Sequence, residues 1–574
     1  MCRKLFKKIN NLIITGVIIF PIFLGFLLVY KYGVNFIFMD EWEIVKLMKN
    51  VNENGFSFHQ FISQHNEHRI FFPRLILVYV SLLTKYDSKV LMYITQFMMV
   101  CVLFIFWRQF YKKDRNLIFF IPFSYLVFNY GQYENFLWGF QVGFAMTLLF
   151  SLISLFFVSR YINNAETKYL VLGIAGGIVA SFSSAHGLFV WISGTIILFL
   201  SRKNNVIMKI TWLFFALLTF VFYFRDYGTP EASKVPFDRL KNLVAIVKFF
   251  ITATGSSLSY ISNYAFEIGI VLIIITVISG YFVYKKKEIA YNSFWIGIIL
   301  FGFIAVASMS FGRTVHGLEG ALNSRYTTIS MLIPIGLYGM GLNLFLKYNE
   351  NKVRFSYYVM LGIIIFFIPS SYENGLLKAQ DLKDEHLREI VVLKTYKTQP
   401  IDSLRPMYPM PERIRETIEY AEKMKYNIFA RTDFLTSASA LKYSGESIET
   451  GLKLENLKLT NSNDEMYISI YNAWAFDLPN YAKAKAVFLC IDGLGDFLLF
   501  SDGKRRDISE YFNNKNLYLT GIEGSVNLSG INFGDYEMYL KVVSFDETEY
   551  YTSNEHFVLR YNSKDDIKLE IYEY

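Results

Sequence analysis

Long apolar stretches separated by short polar loops dominate the chain up to about residue 370. A helix needs about 20 apolar residues to cross a bilayer, because hydrocarbon contains no water to bond its backbone. The apolar stretch 70–84 is short and contains Pro73 and Arg74, so we predict a helix on the membrane surface there. Eleven other stretches are predicted to span the membrane: 11–30, 90–107, 117–131, 142–159, 169–184, 187–201, 206–224, 266–284, 293–311, 327–346 and 355–370.

The first apolar stretch follows a basic start, as in a secretion signal. Its apolar part, residues 12–30, is about 19 residues long, whereas the apolar core of a signal peptide has about 7–15. No small-x-small cleavage site follows it. We therefore predict an uncleaved first helix.

The pattern changes after Pro369, where a polar tail of about 200 residues begins. Residues 376–425 combine charge with apolar positions near helical spacing, as in PERIRETIEYAEKMKY. From about residue 450, segments such as MYISIYNAW and YEMYLKVVSF alternate between polar and apolar and predict strands. The predicted fold class is a polytopic α-helical membrane protein with a soluble α+β region that ends in a β-sandwich. Its predicted domains are a membrane domain (1–371), a helical linker (372–440) and an external β-sandwich (441–574).

The composition supports this interpretation, because 53% of the 574 residues are apolar and only 18% are charged, against about 25% in globular chains. The formal charge of +8 arises from short basic clusters between the apolar stretches. We attribute it to membrane topology and predict no nucleic-acid binding. Cys2, Cys101 and Cys490 are widely separated and form no CxxC pair, so neither a disulfide framework nor a zinc site is indicated.

Basic residues beside the spans mark the cytoplasmic side. They occur on alternate loops: Arg3, Lys4, Lys7 and Lys8; Arg108, Lys112, Lys113 and Arg115; Arg202 and Lys203; Lys285, Lys286 and Lys287; Lys347, Lys352 and Arg354. This orientation places the N-terminus inside. It places loops 31–89, 129–141, 225–265 and 312–326, together with the C-terminal domain, outside.

The segment FMDEWE lies just outside the first predicted span and contains Asp40, Glu41, Trp42 and Glu43. A solvated helix with Trp42 as an interface anchor would account for it. The functional alternative is that Asp40, Glu41 and Trp42 belong to a site on the external side of the membrane. Polar segments on the other external loops favour this alternative.

The same loop contains QHNEHRIFFPRL. His65 and His68 have no further ligands nearby, so no metal site is predicted. Glu67, His68 and Arg69 are candidate binding residues, and Arg69 and Arg74 suit phosphate because guanidinium groups bind its oxygens in pairs. Helix capping and interface packing are the alternative roles.

In QYENFLWGFQ, Glu134, Trp138 and Gln141 lie at the external ends of two spans. Polar groups at membrane depth usually face a cavity, and an aromatic face beside carboxylate and amide groups suits a sugar ring. An aromatic belt would explain Trp138 but not Glu134. His186, between two spans, is a candidate binding residue or a helix-end histidine.

The segment GRTVHGLEGALNSRYTT contains Arg313, Arg325 and Tyr326. Two arginines 12 residues apart on the external side suit a lipid-linked phosphate. Arginine is disfavoured on that side of a membrane, so its presence needs a reason. Interfacial snorkelling is the alternative.

These segments together resemble the GT-C superfamily of integral-membrane glycosyltransferases, and within it the bacterial O-antigen and cell-surface-polysaccharide glucosyltransferase-like membrane proteins. The resemblance covers roughly residues 10–371. In that superfamily an acidic pair after the first span supplies the catalytic base, and Asp40–Glu41 in FMDEW is the matching pair. No later loop contains a second matching acidic motif, and the β-sandwich is not part of the common core.

The resemblance implies an inverting transfer of sugar from a polyprenyl-phosphate donor to a surface glycan at the outer face of the bacterial cytoplasmic membrane. The expected partners are this donor, a glycan acceptor and the lipid bilayer. Arg313, Arg325 and Arg69 are the expected phosphate ligands. No cofactor is expected, although paired acids near a phosphate leave a divalent cation open.

Two other functions stay open at this point. A transporter or flippase for lipid-linked oligosaccharide would also have many spans, but transporters commonly contain paired repeats, and the two halves show no obvious repeat. An O-antigen polymerase is poorly separated by the sequence from the predicted transferase.

Overall fold

The structure is a computed structural model of the 574-residue chain. It describes all residues except 1, 112–114, 202–204, 230–241, 259–263, 349–350, 432–434, 436, 439–440, 463–464, 564–565 and 573–574. Several basic residues that the orientation prediction uses lie outside the described residues: Lys112, Lys113, Arg202 and Lys203. The same holds for part of the loop 225–265 and for the side chains of Arg3, Lys4, Lys7, Lys8 and Lys352.

The chain divides into two compact units. The membrane unit comprises Met1–Asn35 and Glu43–Lys383. The C-terminal unit comprises Asp384–Tyr574 and also Phe36–Trp42, which contains the acidic pair. Each unit is described by itself below.

Helices form almost the whole membrane unit. They are α1 (Cys2–Tyr32), α2 (Glu41–Asn54), α3 (Phe58–Ile62), α4 (Phe71–Thr84), α5 (Ser88–Phe110), α6 (Ile121–Val127), α7 (Tyr133–Leu137), α8 (Val142–Asn164), α9 (Thr167–Ser181), α10 (Phe189–Leu200), α11 (Val206–Phe224), α12 (Leu243–Gly255), α13 (Ala265–Lys285), α14 (Ile289–Arg313), α15 (Ser324–Ser330), α16 (Leu332–Lys347) and α17 (Asn351–Lys394). A short hairpin of β1 (Gln64–His65) and β2 (His68–Arg69) interrupts them.

Within the described residues, eight helical segments are long and apolar enough to cross a membrane. They are Asn11–Tyr32, Ser88–Phe110, Gly139–Asn164, Val206–Phe224, Ala265–Lys285, Ile289–His316, Ser324–Lys347 and Arg354–Lys394. These segments support the prediction of a polytopic helical membrane protein.

Three of the eleven predicted spans correspond to shorter helices. Stretches 169–184 and 187–201 contain α9 and α10, of 15 and 12 residues. Stretch 117–131 contains only the seven-residue α6 after a 3-10 turn, and the helix ends before Asn129, whose side chain accepts a hydrogen bond from the Gly131 amide. Apolar composition therefore marks these stretches correctly as buried or lipid-facing but overestimates their helical length.

Small residues allow close packing between helices of this unit. Ser154 on α8 donates to the carbonyl of Gly173 on α9 over 2.7 Å. Between α12 and α13, a Cβ on Gly269 would lie only 1.9 Å from the Ile251 carbonyl oxygen. Membrane helices gain most of their association energy from such close contact, because lipid is as apolar as their side chains.

The C-terminal unit contains the end of α17, two further helices and ten strands. These elements are α18 (Arg415–Lys423), β3 (Lys442–Ile448), β4 (Leu457–Ser462), β5 (Glu465–Trp474), β6 (Ala486–Ile491), β7 (Gly495–Lys504), α19 (Arg506–Tyr511), β8 (Leu519–Asn527), β9 (Gly534–Val543), β10 (Glu549–Ser553), β11 (Phe557–Ser563) and β12 (Asp566–Ile571).

The strands follow the order β12-β11-β9-β6-β7-β8-β5-β4, and β10 joins β9 to β3. Strand β7 pairs with β6 through its first half, as in Val487↔Leu499, and with β8 through its second, as in Phe500↔Glu523. Buried residues of β6 and β9 share one core with residues of β5 and β8. All ten of these strands belong to one hydrogen-bonded sheet, and strands from both of its halves cover a common core. A β-rich C-terminal region is thus confirmed, and its packing as a β-sandwich stays a prediction.

We expect Gly269→Ala to lower the thermal unfolding midpoint of the detergent-solubilised protein by several degrees. Its methyl group would overlap the Ile251 carbonyl and force α12 and α13 apart, at a cost of about 1–3 kcal/mol. Gly280→Ala on the same helix is the matched control, because no atom lies within 4 Å of its added Cβ. Equal midpoints for the two variants would contradict the close approach.

Candidate functional site: the polar loop cluster

Four polar segments that are distant in sequence meet in the membrane unit. They are residues 64–69, 129–141, 183–188 and 313–328, which we call the polar loop cluster. An ion pair, hydrogen bonds and ring contacts connect each of them to at least one other. Such a meeting is expected when successive helices run antiparallel, because alternate loops return to the same end of the bundle.

The hairpin of β1 and β2 presents Glu67 at its turn. His65 pairs with His68, which leaves Asn66 and Glu67 as the turn residues, and Asn66 has a left-handed φ of 49° that asparagine tolerates well. The Glu67 carboxylate forms an ion pair of 3.1 Å with Nη2 of Arg313, the last residue of α14. Two predicted binding residues are therefore brought together.

Two histidines lie behind this ion pair. Nδ1 of His68 accepts a hydrogen bond from the Ala185 amide over 3.2 Å, and its ring centroid lies 5.9 Å from that of His186. His186 is buried, and its ring also contacts Phe144. Burial, followed by the charges of His68 and Arg313, lowers the pKa of His186 to about 3, so its imidazole is neutral at pH 7.

The two arginines of the hairpin region hold loops in place. Arg69 donates from Nε to the Tyr223 carbonyl over 2.6 Å, from Nη1 to the Ile62 carbonyl over 2.9 Å, and from Nη2 to the Arg225 carbonyl. Arg74 donates to backbone carbonyls at the end of α3, and burial lowers its pKa to about 10. The donors of both guanidinium groups are thus directed mainly at backbone carbonyls.

A second acid–arginine pair lies between the 129–141 loop and the start of α15. Glu134 accepts a 2.6 Å hydrogen bond from the Ser324 hydroxyl, and Nε of Arg325 lies 3.9 Å from the same carboxylate oxygen. The Arg325 guanidinium also lies over the Trp138 ring, 5.8 Å from its centroid. Nε of Arg325 donates to the side chain of Asn323, the N-cap residue of α15.

A buried amide–hydroxyl chain anchors this second pair. Asn135 donates to the Arg325 carbonyl over 2.9 Å and to the Thr328 hydroxyl over 2.6 Å. Thr328 in turn donates to Gln132 over 2.7 Å. Thr328 and Ser324 are not among the residues predicted from the sequence. The only signal in the sequence was their position beside Arg325 in NSRYTT.

The remaining predicted residues surround these pairs. Trp138 stacks on Phe140, which contacts the ring of His65 at 5.4 Å and so connects the second pair with the hairpin. Gln141 is buried, and its Oε1 has no hydrogen-bond partner among the described residues. A buried acceptor of this kind usually binds water or a ligand. Tyr326 is half-buried on α15.

Both ion pairs are weak enough for an incoming anion to replace the glutamate. The side chains of Arg313 and Arg325 are 35% and 38% exposed, and those of Glu67 and Glu134 are 28% and 31% exposed. Ion pairs at such exposure contribute only about 0–1 kcal/mol, because water screens them. A phosphate, with more charge and more acceptor oxygens than a carboxylate, would displace either glutamate at little cost.

The acidic pair Asp40–Glu41 belongs to the C-terminal unit. Met39 has a left-handed φ of 49° and precedes the first turn of α2. The Glu41 carboxylate accepts a 2.9 Å hydrogen bond from the Phe38 amide and is fully buried, and Trp42 is buried too. Asp40 is half-buried. Of the two acids, Asp40 is therefore the more accessible.

No group of three or more histidine, cysteine or acidic residues with metal-binding geometry occurs in the described part of the chain. The predicted residues that meet in the membrane unit are arginines, carboxylates, histidines, amides and aromatics. Such a set can bind a phosphate and a hydroxyl-rich ring.

We expect the protein to lose stability as the pH falls below about 6.5, and His186 to be one cause. Its pKa is lowered in the folded state, so the unfolded chain binds the extra proton and stability falls with pH by up to about 1.4 kcal/mol per unit. Thermal unfolding between pH 4 and 7.5 should show a weaker pH dependence for His186→Phe than for the wild type. The same substitution at the exposed His59 should leave the dependence unchanged, and an equal effect in both variants would contradict this assignment.

Comparison with known proteins provides no further assignment, since no protein-family model and no curated protein matches this chain.

Proposed function

We propose that the protein is a glycosyltransferase that moves a sugar from a polyprenyl-phosphate donor to a cell-surface glycan at the outer face of the bacterial cytoplasmic membrane. The observation that carries this proposal is the polar loop cluster, in which two arginines, each paired with one exchangeable carboxylate, lie among aromatic and amide side chains. A donor of this class needs these groups: cations for its phosphate, and an aromatic face with hydrogen-bonding groups for its sugar.

Arg313 and Arg325 are assigned to the donor phosphate. Each leaves its glutamate when the phosphate arrives, and the guanidinium groups then stabilise the negative charge that grows on the leaving polyprenyl phosphate. Trp138 and Gln141 are assigned to the sugar. The buried imidazole of His186, which is neutral at pH 7, packs against the ring of His68 close to Arg313.

Asp40 is assigned as the general base, from its position after the first span and its greater accessibility relative to Glu41. In the reaction, the acceptor hydroxyl gives its proton to the Asp40 carboxylate and its oxygen bonds to the anomeric carbon. The bond from that carbon to the phosphate oxygen breaks, and the electron pair leaves with polyprenyl phosphate. This single displacement inverts the anomeric centre.

We expect Asp40→Asn to reduce sugar transfer by about 10²–10⁴-fold, because the amide cannot accept the proton. The measurement is transfer of radiolabelled sugar from synthetic polyprenyl-phosphate glucose, and then from other polyprenyl-phosphate sugars, to a cell-envelope glycan by purified protein. Glu43→Gln, three residues after Asp40 on the first turn of α2, is the control and should retain most of the activity. Full activity in both Asp40→Asn and Glu41→Gln would refute the assignment of the base.

The Glu67–Arg313 pair predicts opposite effects for its two members. Glu67→Gln removes the carboxylate that competes with phosphate and should lower the donor KM severalfold. Arg313→Lys replaces the two-pronged guanidinium group by a single ammonium group and should raise the donor KM about tenfold. Arg225→Lys is the control, because that exposed side chain pairs only with the exposed Asp226 among the ion pairs described.

An increase in KM for both members of the pair would contradict the exchange of partners. If the wild type and all variants bind the donor but none transfers sugar, the result would instead favour a transporter of lipid-linked sugar.

A further inference from the structure

The acidic segment, which we define as Phe36–Trp42, is held by residues of the far C-terminal part of the chain. The Met39 amide donates a 2.8 Å hydrogen bond to the Met407 carbonyl. Phe36 and Ile37 are buried and belong to the C-terminal unit. The residues on both sides of this segment belong to the membrane unit, whereas the segment itself belongs to the C-terminal unit.

His386, near the end of α17, lies against this segment. Its ring centroid is 5.3 Å from that of Phe36 and 4.8 Å from that of Phe38, and only 4% of the residue is exposed. One imidazole therefore contacts both aromatic rings that precede Met39. Aromatic pairs at such centroid distances are favourable beyond the area that they bury.

The conformation that these contacts hold is an unusual one. Met39 has φ of 49°, in the left-handed region, which is unfavourable for a residue with a Cβ. The turn that follows is closed by the Trp42 amide, which donates to the Met39 carbonyl, and by the Phe38 amide, which donates to Glu41. Asp40 lies inside this turn, so the direction of its carboxylate depends on the conformation of Met39.

The part of α17 that carries His386 is itself attached to the strands. Lys504 at the end of β7 pairs with Asp384 over 2.7 Å, and Glu523 on β8 pairs with Arg388. The Asn527 amide at the end of β8 donates to the Thr398 carbonyl over 2.7 Å. Contacts thus run from the strands through α17 to the acidic segment within one compact unit.

We propose that the C-terminal unit positions Asp40, with His386 and the Met407 carbonyl as positioning groups that hold Met39 in its left-handed conformation. The unit is then a required part of the transferase and not an independent accessory module. This inference rests on the proposed function only for its effect on catalysis. The conformational contact can be tested without any substrate.

The test uses the full chain in lipid nanodiscs with His386→Ala, His386→Phe and a control, His556→Ala, which removes a ring stacked on Tyr539 in the same unit. Hydrogen–deuterium exchange of the peptide that covers residues 36–42 is measured by mass spectrometry. We expect exchange to become at least tenfold faster in His386→Ala, to return towards the wild-type rate in His386→Phe, which keeps a ring, and to stay unchanged in His556→Ala. Transfer kinetics on the same samples should show kcat lowered tenfold or more in His386→Ala, with the donor KM within twofold of the wild type.

Unchanged exchange in His386→Ala, equal effects in His386→Ala and His556→Ala, or faster exchange with an unchanged kcat would each overturn the proposal. An equal loss in His386→Phe and His386→Ala would overturn the packing role of the ring. A wild type without transfer activity would count against the proposed function, and the exchange rates alone would then decide whether His386 holds the segment.

Discussion

The absence of water in the bilayer interior is the constraint on which this structure depends. Backbone groups in hydrocarbon must be paired within helices, and polar side chains must find partners or leave the apolar layer. The long apolar helices of the membrane unit satisfy the first condition. The second concentrates carboxylates, guanidinium groups and amides in the loops, where Glu67, Arg313, Glu134 and Arg325 pair with one another.

Pairing also explains how four arginines are accommodated close to the apolar helices. Arg69 and Arg74 are buried, and their donors are directed at backbone carbonyls, so their charges serve to hold loops. Arg313 and Arg325 instead pair with partly exposed carboxylates. The same residue type thus has two kinds of partner, and under the proposed function only the carboxylates give way to a phosphate.

The acidic segment contacts residues that are distant from it in sequence. Its residues follow the first span directly, yet Met39 bonds to Met407 and the rings of Phe36 and Phe38 contact His386. A strained backbone conformation such as that of Met39 needs surrounding contacts to hold it. The strands, which the sequence resemblance leaves unexplained, are joined to this arrangement through Asp384 and Arg388.

The sequence alone determined the apolar helices, the strand-rich region after about residue 450 and the polar segments of the candidate site, because hydropathy and alternation are local properties of the chain. It overestimated the span at 117–131, since apolar composition does not report where a helix is interrupted by local hydrogen bonds such as that of Asn129. Only the tertiary structure decided that Arg69 binds backbone carbonyls while Arg313 meets Glu67, and that His386 contacts Phe36. These contacts join residues distant in sequence, and their energies depend on distance and burial in three dimensions, which no local pattern contains.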